Sequence, residues 1–164
     1  MDSSATARPV RVFVSYRHAD TRVLMDLRTS LGWLENSSRI TVFDDRQVLA
    51  GDDWNQVIRK ELREADIIVL VVTAAFMASP YCTRVELRQA LERRAESGTR
   101  LIPIIAETCD WQALPIADIA ALPKDDQNNL RPLNKWGRHK DVALTQVAQQ
   151  VRLNVERLTT ANPR

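Results

Sequence analysis

The run Ile67-Ile68-Val69-Leu70-Val71-Val72 constrains the fold of this chain more than any other feature. It shows no polar alternation, so a strand built from it must be covered on both faces, as in parallel sheets sandwiched between helices. Around it, short apolar runs alternate with helical stripes, the pattern of stacked βαβ units. Val10 to Tyr16 and Ile40 to Phe43 read as the first two strands. Between them Val23, Leu24, Leu27, Leu31 and Leu34 recur at helical spacing behind a candidate Asp20 cap. Asp52 or Asp53 caps the next helix, whose buried stripe is Trp54, Val57, Ile58 and Leu62, and Asp66 to Thr73 is the central strand. Leu101 to Ile105 is a fourth strand, and Pro103, which has no N–H for a ladder, puts it near an edge or a bulge.

The region from Glu107 to Trp136 is broken by prolines 115, 123 and 132 and by the polar run Lys124 to Asn129. A short helix around Ile116 to Leu122 and a brief fifth strand near Leu130 are expected there. A last helix carries Leu144, Val147, Val151, Val155 and Leu158 on one face. The expected fold class is therefore α/β, a flavodoxin-like doubly wound sandwich with a five-stranded parallel sheet of order 2-1-3-4-5 and helices on both faces. Residues 1–8 read as a flexible N-terminus, 9–158 as one domain, and 159–164 as a tail or the start of a linker to another module.

Composition removes several function classes. With 45% apolar residues in 164, the chain can bury one ordinary core, and its net charge of +2 gives no overall field for nucleic acid or an anionic membrane. No apolar run approaches the roughly 18 residues of a membrane span, and the start Met1-Asp2-Ser3-Ser4 lacks the apolar core of a secretory signal, so a cytoplasmic location is expected. Cys82 and Cys109 show no C-x-x-C spacing and only His18 and His139 are available, which argues for reduced thiols and against a metal site. There is no G-x-S-x-G elbow and no G-x-G-x-x-G loop.

Ligands of open α/β sheets bind outside the carboxyl ends of the strands, at the point where strand order reverses. In this chain that point collects Tyr16, Arg17 and His18 after the first strand and Thr73 after the third, with Tyr81, Cys82 and Glu86 on the following helix. Phe43, Asp44, Asp45 and Arg46 end the second strand. Asp44 and Asp45 do not make a receiver site, which would need an acceptor Asp where Thr73 stands. Glu86 has two readings. As the last residue of Thr83-Arg84-Val85-Glu86 it fits a capping box and would only brace its own helix. If the helix starts instead with Ser79 as cap and Pro80 at its first position, Glu86 lies two turns in, free to meet a ligand. Tyr16 and Arg17 suit a ribose or pyrophosphate, though an arginine at a strand end is equally a surface ion-pair partner. Cys82 sits at i, i+4 from Glu86 and either lines the pocket or packs as a structural thiol. Trp54 and Trp136 read as core, and neither histidine has an evident partner.

Val12-Phe13-Val14-Ser15-Tyr16-Arg17, then Phe43-Asp44-Asp45-Arg46 up to Gly51 and Trp54, then Ala65-Asp66-Ile67 with Ser79-Pro80-Tyr81-Cys82 and Glu86-Leu87, resemble the Toll/interleukin-1 receptor (TIR) domain in its bacterial form. The resemblance covers nearly the whole chain. It implies an interaction module that in bacterial, plant and some animal members hydrolyses or cyclises NAD at the nicotinamide–ribose bond, with NAD as substrate and no further cofactor. Glu86 would then be the key carboxylate, with Tyr16, Arg17, Phe43, Asp44, Arg46, Tyr81 and Cys82 around the substrate. Asp45, Gln47, Val48, Leu49, Ala50, Gly51 and Asp52 would form the loop through which copies assemble, head to tail in an arrangement that can propagate. Implied partners are NAD+, further TIR domains and a fused or associated sensor module in antiphage immune signalling. No direct nucleic-acid or membrane contact is implied.

The chemistry is compatible with a single acid. The bond breaks through an oxocarbenium-like state and nicotinamide leaves neutral, so the second carboxylic acid of ordinary glycosidases is dispensable. Two departures bear on the site. The tryptophan that commonly lies four residues before the glutamate is replaced by Cys82, beside the aromatic Tyr81, and the frequent loop proline is missing from Leu49-Ala50-Gly51. Two other functions fit the same residues: a non-catalytic adaptor acting through TIR–TIR contacts, and an enzyme resembling nucleoside 2-deoxyribosyltransferases, which would form a covalent ribosyl intermediate.

Overall fold

Strands β1 (Val10–Ser15), β2 (Ile40–Phe43), β3 (Ile67–Val72) and β4 (Arg100–Ile105) pair in parallel in the order β2-β1-β3-β4. The structure, a computed structural model, describes residues 7–161. Every residue of β3 is buried, as its unbroken apolar run requires. The strands' alternate side chains build two cores. Val12, Val14, Val69 and Val71 pack with Leu24 and Leu27 of helix α1 (Thr21–Ser30) and Val147, Val151 and Val155 of helix α6 (Lys140–Ala161). Phe13, Ile68, Leu70 and Val72 face the other way, onto Ile58 and Leu62 of helix α3 (Trp54–Glu64), Phe76 of helix α4 (Ala74–Ala78) and Ala90 of helix α5 (Arg88–Ser97). Short helix α2 (Gly32–Asn36) leads into β2. This is the expected α/β sandwich, with one strand fewer.

The fifth strand and the helix at Ile116 to Leu122 do not form. Lys124 and Leu130 meet only as an isolated antiparallel bridge, and Leu122 makes a single parallel bridge to Ile104. Proline limits how far the segment can pair with the sheet. Pro123 pushes Leu122 into an extended conformation and cannot donate to a ladder itself, so the segment touches the sheet for one residue and leaves. Leu122 donates to Pro103 O at 2.9 Å and accepts from Ile105 N at 2.8 Å. It thereby covers part of the outer edge of β4, where Pro103 has no N–H to offer.

Several local expectations shift. Asp53 caps α3 by accepting from Gln56 N at 3.1 Å, whereas Asp52 accepts from Leu49 N at 3.0 Å inside the preceding loop. Asp20 occupies the cap position of α1 without bonding to it, because its carboxylate takes the Thr73 hydroxyl at 2.6 Å. Trp136 is core, packed with Leu133 and Ala143, but Trp54 is not: 37% of it is exposed. Trp54 stands in the first turn of its helix, above the apolar stripe continued by Ile58 and Leu62. Helix α6 runs to Ala161, past the expected boundary at 158, and Arg8 is tied to both oxygens of Asp66 at 2.9 and 3.1 Å. Residues 1–6 of the expected N-terminal segment and 162–164 of the expected tail lie outside the described residues.

Candidate functional site

The path from β3 to Glu86 is set by two hydroxyl caps. Thr73 Oγ1 accepts from Phe76 N at 3.0 Å and starts α4 directly at the strand's end. Ser79 Oγ then accepts from Cys82 N at 3.2 Å with Pro80 at the first helical position, so the second of the two readings of this helix start is the one realised. Thr83 makes no cap; its hydroxyl donates back to Ser79 O at 2.9 Å. Ser79→Ala is therefore expected to cost about 1 kcal/mol in urea unfolding and Thr83→Ala clearly less. The opposite ranking would restore the cap to Thr83.

Residues Cys82–Leu87 form a π-helical turn before the chain resumes as α5, and Cys82, Glu86 and Leu87 are its buried side chains. Such widened turns reaim side chains and concentrate at functional sites. The Glu86 carboxylate does not return to its own helix. It reaches the end of β1, where the Ser15 hydroxyl donates it a short hydrogen bond. Glu86 is only 5% exposed, and burial pushes its pKa up from 4.5 to about 7; the Ser15 bond opposes the rise and the nearby charge of Asp45 adds to it.

Asp45 joins the loop after β2 to the end of β1. Its two oxygens take the Tyr16 hydroxyl at 2.7 Å and lie 2.5 Å from His18 Nε2, and the Tyr16 and His18 rings stack at 5.9 Å. His18 thus has a partner that sequence reasoning did not supply. Burial, then the bond to Asp45, holds the Tyr16 phenol above its ordinary pKa. Cys82 Sγ lies 3.8 Å from Tyr16 O, and burial raises its thiol to about 11, so it packs as a neutral thiol. The Tyr81 hydroxyl is buried without a hydrogen-bond partner among the described residues, its pKa pushed to about 12 by burial and then by the charge of Glu86. Its ring packs against Trp54 at 4.5 Å between centroids.

The other expected site residues serve the loop. Asp44 is fully buried, accepting from Arg28 Nη1 at 2.8 Å and from Arg46 Nε, Nη2 and backbone N at 2.9, 3.0 and 3.0 Å. Burial alone would raise its pKa, but these bonds outweigh it and hold the carboxylate below the usual range. Gln47 closes the same turn by accepting from Asp44 N at 2.9 Å. Phe43 stacks on Phe13 at 5.6 Å, and Arg17 is exposed with no hydrogen bond or ion pair from its side chain among the described residues. Farther along the loop Val48 packs on the second core, Leu49 is 72% exposed, Ala50 is exposed, and Gly51 has φ of 95°, a conformation that favours glycine.

The structure therefore brings Glu86 together with Tyr16, Asp45, Tyr81 and Cys82, and adds Ser15, His18 and Trp54. Ser15 is the residue the sequence reading missed. Its signal was available: a hydroxyl closing a strand of apolar residues, in phase with Phe13 and so facing the helix that carries Glu86.

The TIR domain family profile matches residues 12–134. This chain is a member of the TIR domain family. Over 148 residues it is 36% identical to the uncharacterized protein y4lF of Sinorhizobium fredii (strain NBRC 101917 / NGR234), an alignment covering 90% of this chain and 44% of that protein. The chain thus spans less than half the length of this relative. The crystal structure of the TIR domain of the Toll-related receptor TRR-2 from Hydra magnipapillata superposes with a TM-score of 0.58 at 17% identity, covering 86% of this chain and 97% of that one. The TIR domains of the activated Roq1 resistosome that recognizes the effector XopQ are similar at 21% identity, with a TM-score of 0.49 over 85% of this chain and 84% of theirs. In this TIR domain no helix among the described residues is long and apolar enough to cross a membrane.

Proposed function

We propose that this TIR domain cleaves the nicotinamide–ribose bond of NAD+ with Glu86 as its key carboxylate. The observation that carries the reading is the placement of Glu86 itself: buried on a π-helical turn, released from any capping duty, and turned to the strand end where Ser15 and Tyr16 lie. A carboxyl with a pKa of about 7 is poised between its two forms near neutrality. The positive nicotinamide ring of bound NAD+ draws it to the carboxylate. The carboxylate then exchanges its Ser15 hydrogen bond for ribose hydroxyls and stabilises the positive charge that grows on the sugar as the C–N bond breaks. The bonding pair leaves with nicotinamide, which departs neutral. Water adds to the sugar carbon and gives its proton to Glu86, yielding ADP-ribose; attack by the substrate's own adenine yields a cyclic product instead.

Tyr81 and Trp54 offer the aromatic surface that Cys82, in the family's tryptophan position, cannot. Arg17, exposed and unpaired among the described residues, suits the diphosphate. No cofactor beyond the substrate is needed. Because Glu86 is 95% covered in one copy, its cover must move, and the loop Asp45 to Asp52 is the segment that Asp45 latches to Tyr16 and His18. Head-to-tail packing of copies through this loop, with Leu49 as its exposed apolar contact, would release the latch and make activity depend on concentration. A sensor module, fused or associated, would set that concentration in a cytoplasmic defence response against phage.

The test is incubation with NAD across a protein concentration series with chromatography of products. Specific activity is expected to rise with concentration, with nicotinamide as one product. The burial of Glu86 in a single copy favours a second reading, an adaptor that only assembles. Assembled protein that releases no nicotinamide at any concentration would establish that reading and exclude the enzyme.

A further inference from the structure

Helices α3 and α5 face each other across a groove of about 370 Å³ whose walls carry Arg59, Arg63, Arg84, Arg88 and Arg93. Five guanidinium groups there meet two carboxylates, Glu92 and Glu96, on a chain whose whole net charge is +2. Only Arg88 is paired, with Glu92 at 3.3 Å; the other four make no ion pair among the described residues. Arg93 Nε is buried with no hydrogen-bond partner among the described residues. The spacing is ordered: Arg59 and Arg63 are an i, i+4 pair on α3, and Arg84 and Arg88 are an i, i+4 pair across the junction of the π-turn and α5. Gln89 pins the two rails together by donating to Arg59 O at 3.0 Å.

Like charges at i, i+4 repel and destabilise a helix, and with Glu92 meeting Arg88 alone the groove that holds these two pairs and a buried, unsatisfied donor is short of counter-charge. Guanidinium forks match phosphate oxygens two at a time, and the groove volume lies in the range of small-molecule sites. We propose that this groove binds a small soluble anion carrying two or three linked phosphates. Neither Ser15, Asp45 nor Glu86 lines it, so the site is distinct from the carboxylate and does not rest on the NAD-cleavage reading. Its ligand is held by charge-assisted bonds and is released as salt rises.

Sodium tripolyphosphate is the probe, read by thermal unfolding and titration calorimetry in low and high salt. At about a hundred times its Kd it should raise the unfolding midpoint by about 5 °C or more. The double variant Arg63→Gln/Arg84→Gln should unfold no earlier than wild type without ligand, since it relieves repulsion. It should bind tripolyphosphate at least about tenfold more weakly, the scale of losing charge-assisted bonds. Glu86→Gln should respond as wild type does. Arg152→Gln/Arg157→Gln, which removes two exposed charges from α6, should also bind normally. The proposal is overturned if tripolyphosphate leaves the midpoint unchanged, if the groove variant binds as wild type, or if the α6 variant loses as much. Attachment to vesicles bearing a polyphosphorylated lipid that soluble tripolyphosphate fails to displace would overturn it as well.

Discussion

Glu86→Gln is expected to lower nicotinamide release at least about a hundredfold, the scale of removing one key electrostatic group, while making the folded protein more stable at pH 8. The two effects have one cause. Burial raises the Glu86 pKa from 4.5 to about 7, so in the folded state the proton is held more tightly than in the unfolded chain. The stability this group contributes is fully present below about pH 4.5 and is lost as pH rises toward 7, where a charge must be carried in a site only 5% exposed. The shift corresponds to about 3 kcal/mol between those limits. Glutamine has nearly the same shape, still accepts from Ser15 and never ionises. The variant should therefore match wild type near pH 4 and exceed it by up to about 3 kcal/mol at pH 8, measured by urea unfolding at both pH values. Full activity in the variant would remove Glu86 from the chemistry. A stability difference that ignores pH would show that the carboxyl is not buried as described.

This combination separates the two functions more sharply than activity alone. An adaptor has no reason to keep an ionisable group where a neutral isostere holds better, whereas an enzyme that needs a carboxylate at the sugar accepts the instability. The same logic applies to the arginine groove, where repulsion is retained in a place that packing does not require.

What could be read from residues alone follows from the range of the forces involved. The unbroken run of β3 and the helical stripes of α1, α3 and α6 are local periodicities, and they placed the sheet and its layers correctly. The segment from Glu107 to Trp136 lacks any period, and there one isolated contact, Leu122 beside Ile104, replaced the strand expected near Leu130. The helix start at Ser79-Pro80 was one of two that local capping chemistry offered, and the choice that freed Glu86 was made by the fold. The partnerships of Ser15 with Glu86 and of Asp45 with Tyr16 and His18 join residues 71, 29 and 27 positions apart, which no local pattern encodes. Net charge was silent for a different reason: averaging over the chain cancels a groove in which five arginines meet two acids.

Asp44→Ala is expected to cost about 2 kcal/mol at pH 7, the scale of losing charge-assisted hydrogen bonds to a buried carboxylate. The Asp44 side chain has no exposure and takes four hydrogen bonds, one from Arg28 on α1 and three from Arg46 on the loop itself. Arg46 is 39% exposed and recovers much of its loss in water, while Arg28, at 21%, keeps its ion pair with Glu35 at 3.1 Å. Asp44→Asn keeps an acceptor for Arg46 N and should lose less than alanine. The pH dependence runs opposite to that of Glu86. Since the folded pKa of Asp44 lies below its ordinary value, its contribution is present above about pH 4 and disappears as pH falls through the folded pKa, so wild type and Asp44→Asn should converge in acid. Urea unfolding at pH 7 and in acid measures both. A cost under about 1 kcal/mol at pH 7 would mean the turn is held by something other than this carboxylate. If the loss is as large as expected, the loop that Asp45 ties to Tyr16 and His18 is anchored at one end by a fixed charge network. The contact of Asp45 with Tyr16 and His18 is then the part of the latch on which the proposed assembly would act.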